Sequence, residues 1–114
     1  MSMSSLNSIS ALNALTTKQQ VAANNVANVN SKQFKKSTAL LEENASGGVT
    51  ARTQAVNTPG VMINHPDGSQ EELSNVDLEQ EMVDMIANKH AYQANLKALK
   101  TDQDMEQSTI DLVG

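Results

Sequence analysis

Two stretches of this chain, one at each end, hold no proline and no glycine, and both place apolar residues at alternating steps of three and four. No Pro or Gly precedes Gly47, and none lies between Asp77 and Val113. Such a pattern allows long helices and little else. In the first stretch, from about Ser4 to Val29, the stripe runs Leu12, Leu15, Gln19, Ala22, Val26 and Val29, with Gln19 its one polar member. This is an a/d heptad spacing. Leu6 and Ile9 extend the edge toward the N-terminus. In the last stretch the stripe runs Leu78, Met82, Met85, Lys89, Tyr92, Leu96, Leu99, Gln103, Glu106, Ile110 and Val113. The helices would span roughly 39 Å and roughly 55 Å at 1.5 Å per residue.

The ends of these helices are also marked. Asn24, Asn25, Asn28 and Asn30 compete with helical backbone bonding, so the first helix should stop near Asn28 to Ser31. Phe34, one of only two aromatic residues, should pack where the chain turns; Lys35 and Lys36 beside it read as solvated surface. Ser74 with Asp77, or Asp77 with Gln80, could cap the second helix. Acids at Asp77, Glu79, Glu81 and Asp84 suit its positive end.

Between the helices the character changes. Residues 49–56 carry a weak strand signal, and Val61-Met62-Ile63-Asn64 is a second short apolar run. Asn57-Thr58-Pro59-Gly60 and His65-Pro66-Asp67-Gly68 read as turns. The expected architecture is therefore mainly α. Long N- and C-terminal helices pair as an antiparallel coiled coil, with a small β-hairpin or loop between them. The divisions are 1–36, 37–73 and 74–114, forming one structural unit. Two helices alone bury too little to be self-sufficient, so further helices are expected from other subunits.

Charge and motifs exclude most other classes. The net charge of −5 argues against nucleic acid as the main partner. Residues 1–57 sum to +3 and residues 58–114 to −8, so the halves could attract each other within or between chains, or both could simply be solvated. There are no cysteines, hence no disulfide and no thiolate metal site. No apolar run approaches the ~20 residues that span a bilayer, so no membrane insertion is expected. The segment from Met1 to Ser10 lacks the basic and apolar regions of a cleaved secretory signal. No phosphate loop, dinucleotide fingerprint, zinc-protease motif or nucleophile elbow occurs. His65 and His90 stand 25 residues apart without ligand spacing. Glu71, Glu72, Glu79 and Glu81 read as cap and solvent-facing charges, and the six methionines as adaptable packing. No enzyme activity, cofactor or metal is expected.

Two segments carry a resemblance. Asn24-Asn25-Val26-Ala27-Asn28-Val29-Asn30-Ser31-Lys32-Gln33-Phe34-Lys35-Lys36 resembles the N-terminal signature of flagellar rod and hook proteins, in which an Asn-Asn-x-Ala-Asn helix end precedes a Thr-Pro-Gly-Phe/Tyr-Lys/Arg turn. The stretch Ser74 to Ile86 (SNVDLEQEMVDMI), with Ala91-Tyr92-Gln93-Ala94-Asn95 and onward to Asp102, is similar to the family's C-terminal signature. The proximal rod proteins match best. Ser31-Lys32-Gln33 departs from Thr-Pro-Gly, so the turn after the first helix is expected to differ. The middle is also shorter than in most relatives.

The resemblance implies a structural subunit of the bacterial flagellar basal-body rod, the axial drive shaft for motility. It implies export by the flagellar type III apparatus without a cleaved signal, and a periplasmic rod location. Its partners would be copies of itself and other rod or axial proteins. By position, subunit-interface roles fall to Asn24, Asn25, Val26, Asn28, Leu78, Met82, Met85, Tyr92, Asn95, Leu96 and Leu99, with Leu12 and Leu15 from the first heptad. The competing expectation is a small coiled-coil adaptor that binds partner helices and never polymerises.

Overall fold

A computed structural model of the chain describes residues 3–113; Met1, Ser2 and Gly114, which belong to the expected terminal segments, lie outside the described residues. Helix α1 covers Met3–Ala27 and helix α2 covers Leu78–Val113. At 1.5 Å per residue α2 outruns α1 by roughly 16 Å. The end of α1 is cut where the asparagines accumulate. The Asn28 side chain donates to the Asn24 carbonyl at 2.9 Å, alongside its own N–H at 3.2 Å, and the Ser31 hydroxyl donates to Asn28 Oδ1 at 3.0 Å, so local side-chain bonds replace a further turn. At the start of α2 the second capping register is the one adopted. Asp77 Oδ1 accepts from Gln80 N at 3.3 Å, while the Ser74 hydroxyl accepts from Val76 N at 3.1 Å in a turn before the helix.

The middle corrects the single-hairpin expectation: there are two antiparallel hairpins. Strand β1, Ser37–Glu43, pairs with β2, Val49–Ala55; β3, Met62–Asn64, pairs with β4, Gln70–Glu72. Residues 49–55 therefore pair backward in sequence rather than forward onto 61–64. The reason lies in the turns. Asn44 N donates to Gly48 O at 2.7 Å and Gly47 N to Asn44 O at 3.0 Å. His65 N to Ser69 O at 2.8 Å and Gly68 N to His65 O at 3.0 Å repeat the arrangement. Gly47 and Gly68 supply the left-handed residue that such short loops need, at φ 91° and 90°. No reverse turn forms at Asn57-Thr58-Pro59-Gly60; the segment has no regular structure, and Gly60 lies against the backbone of Leu73.

The first hairpin lies along α1. Its base is held at Asn25, and near its tip the Val49 N–H donates to the Ser10 hydroxyl at 3.1 Å. The second hairpin is tied to the chain just after α1. Gln33 N donates to Glu72 O at 3.0 Å, Lys35 pairs with Glu72, and Lys32 pairs with Glu71 at 3.1 Å. Gln33 has φ 60°. This is the left-handed conformation that glycine adopts freely.

The two helices are antiparallel, since Ser5 of α1 hydrogen-bonds Asp102 of α2 while Asn25 reaches Glu81. The molecule measures 80 × 26 × 13 Å with a radius of gyration of 20.2 Å, against about 13 Å for a compact chain of this length. Among the described residues the buried apolar side chains are Leu12, Ala14, Leu15 and Ala22, all on α1. A core this small leaves most apolar area on the surface.

A candidate assembly surface on the second helix

The α1 stripe faces inward as its spacing predicts. Leu12, Leu15 and Ala22 are buried, Val26 and Val29 are half-buried, and Gln19 keeps its side-chain oxygen buried without a hydrogen-bond partner. Helix α2 behaves differently. Glu81 and Asn88, both 5% exposed, are its buried residues, and Asn95 and Asp102 continue that line half-buried. These four recur every seven residues, so they share one face. The expected apolar stripe is turned outward. Leu78, Met82, Tyr92 and Leu96 are exposed, Leu96 at 48%; only Met85 and Leu99 are half-buried. Val83, Ile86, Met105 and Ile110 widen the exposed apolar face.

Two members of the polar line have partners on α1: Glu81 accepts from Asn25 and Asp102 accepts from Ser5. The Asn25 amide, 1% exposed, donates to Glu81 Oε1 at 3.1 Å and to the Ser37 carbonyl at 2.8 Å, while its oxygen accepts from Ser37 N at 3.0 Å. One side chain thus joins α1, β1 and α2. Asn75 does similar work at the other junction. It accepts from Lys36 N at 2.7 Å and donates to the Val56 and Thr58 carbonyls, each at 2.9 Å.

Of the residues expected at a subunit interface, Leu12, Leu15 and Asn25 are thus already covered within the chain. Asn24 is exposed, Asn28 is half-buried, and Asn95 donates to Ala91 O of its own helix at 2.9 Å. The heptad recurrence of Glu81, Asn88, Asn95 and Asp102 was the one sequence signal that could have identified the buried line. Asn75 had none, because its partners lie 17 to 39 residues away.

Between the helices runs an open, mostly apolar groove of about 510 Å³, lined by Leu15, Thr16, Gln19, Gln20, Asn88, Lys89, Tyr92, Gln93 and Leu96. Among the described residues no three His, Asp or Glu side chains converge as metal ligands would, and no helix is long and apolar enough to cross a membrane.

Comparison with known families locates the same two regions. Residues 69–112 match the model described as "Flagellar basal body rod FlgEFG protein C-terminal". Residues 6–35 match the model described as "Flagella basal body rod protein". Together the matches cover about two-thirds of the chain, and they fall on the two helices and their flanking turns. Compared with curated proteins, the chain finds no match.

Proposed function

We infer the function of this chain from its family: it belongs to the flagellar basal-body rod proteins and is a structural protein of the flagellar basal body. Beyond that, we propose that it assembles with copies of itself and with other rod proteins through its terminal helices, as part of the axial drive shaft. The observation that carries this is the uncovered apolar face of α2, with Met82, Ile86 and Leu96 exposed beside an apolar groove. Exposed apolar area of this extent marks an interaction surface. The helix pairing becomes a true coiled-coil core only when neighbouring helices fill the groove.

The proposed interface consists of Leu78, Met82, Met85, Tyr92, Leu96 and Leu99, with Asn24, Val26, Asn28 and Asn95 at its edges. Leu12, Leu15 and Asn25 support it from inside. The domain division 1–36, 37–73 and 74–114 belongs to the same proposal, the outer parts assembling and the hairpins bracing their junction. Within the family, the C-terminal motif points to a proximal rod protein similar to FlgC. Export by the flagellar type III apparatus, and a periplasmic location, follow from this reading. Fractionation tests it. A rod subunit copurifies with intact hook–basal bodies; a non-polymerising adaptor stays in the soluble fraction.

A further inference from the structure

Helix α2 carries two stripes, and the chain buries the more polar one. Glu81, Asn88 and Asp102 lie on the side of α1, whereas Met82 and Leu96 lie exposed. The two stripes are offset by roughly 80° around the helix at 100° per residue. A pair that maximised apolar burial would turn α2 through that angle and set its apolar stripe on Leu12 and Leu15. Two ties oppose the turn. Near one end of α1, Asn25 donates to Glu81 at 3.1 Å; near the other, the Ser5 hydroxyl donates to the Asp102 carboxylate. Asn25 cannot follow a turning α2, because both backbone groups of Ser37 hold it at 2.8 and 3.0 Å. Turning would leave Glu81, 5% exposed, without this donor in a buried place.

We propose that this polar line is a rotational lock. Glu81 and Asp102 are positioning residues that keep the apolar stripe of α2 from closing onto Leu12 and Leu15, so that Tyr92 and Leu96 at the open groove stay available to a neighbouring subunit. The line forgoes stability of the single chain in exchange for an open assembly face. The proposal rests on the rod-subunit reading, and it adds the device that keeps the surface free.

The chain contains no cysteine, so a single Leu96→Cys reports the rotation through its rate of thiol labelling. Combining it with Glu81→Leu and Asp102→Leu removes both ties while leaving Asn25 on Ser37. The lock predicts that labelling slows several-fold, the urea midpoint rises, and incorporation into basal bodies is lost. Labelling at the rate of the Leu96→Cys chain, or a lower urea midpoint, overturns it. Should the combined variant lose its helix content, Glu81→Leu alone, which removes the tie that Ser37 pins, is read by the same criteria. Normal incorporation of the more stable variant likewise overturns the lock and leaves the rod reading standing. Absence of the unsubstituted protein from basal bodies overturns the rod reading, while the labelling result still decides the lock.

Discussion

Asn25 pairs with Ser37 as a neighbouring strand would, giving its amide hydrogen to the Ser37 carbonyl at 2.8 Å and taking the Ser37 N–H at 3.0 Å. The same amide reaches Glu81 across the helix pair at 3.1 Å. The signature asparagine of the first helix is therefore where the helix pair and the first hairpin are joined.

Replacing Asn25 by Ala should be the most damaging change at this junction. It strands the Ser37 N–H and carbonyl and removes a donor from Glu81. Each buried group left unpaired costs about 1–3 kcal/mol, so the loss should be about 2–4 kcal/mol in urea unfolding. Replacement of the exposed Asn24 by Ala should stay within ~0.5 kcal/mol.

Gln33→Gly should stabilise the chain. A left-handed residue with a side chain costs about 1–2 kcal/mol, and Gln33 sits at φ 60°. Glycine adds unfolded-chain freedom worth roughly 0.5–1 kcal/mol, so the net gain should be about 0.5–1 kcal/mol. A rise in the urea midpoint at unchanged slope would register it.

Gly60 and Gly68 should respond differently to Ala. A Cβ on Gly60 would stand 1.9 Å from the Leu73 carbonyl oxygen, so the backbone must move. The cost should be at least about 2 kcal/mol. Gly68 has open space around it and φ 90°, so only local strain of about 1–2 kcal/mol is expected. Thermal melts of the two variants give the comparison.

Acid should loosen the second hairpin first. The hydrogen bond from His65, then that from Lys32, holds the Glu71 carboxyl below its ordinary value of 4.5; Lys35, then the Gly60 N–H, does so for Glu72. Depressed carboxyl values mean the stabilisation is present above 4.5 and is lost as pH falls through the lower folded values. The protection of the Gln33 amide, whose N–H donates to Glu72 O, measured against its intrinsic exchange rate, should therefore fall as pH drops below 4.5 through the lowered folded values. Both carboxylates are half-buried but still reached by solvent, so salt should weaken the effect.

The helices, the α1 seam, the His65–Gly68 turn and the exclusion of familiar catalytic motifs were legible in the sequence, because each depends on local spacing or on a residue's own conformational preference. The strand partners were not. Ser37–Glu43 shows little alternation, and its partner is chosen by a Gly47 turn that the apolar pattern does not announce. The rotation of α2 was also hidden. Periodicity located its apolar stripe but could not tell which side meets α1, because that choice is made by Asn25 and Ser5 bonding to residues 56 and 97 positions away.

The exposed stripe of α2 is the centre of the account, and Leu96→Asp tests it most directly, by comparing the stability of the isolated protein with swimming and with its content in purified basal bodies. Leu96 is 48% exposed in the single chain, so the urea midpoint should move by no more than ~0.5 kcal/mol equivalent, while the protein disappears from basal bodies and the cells stop swimming. Normal swimming with the variant incorporated at full level would contradict it.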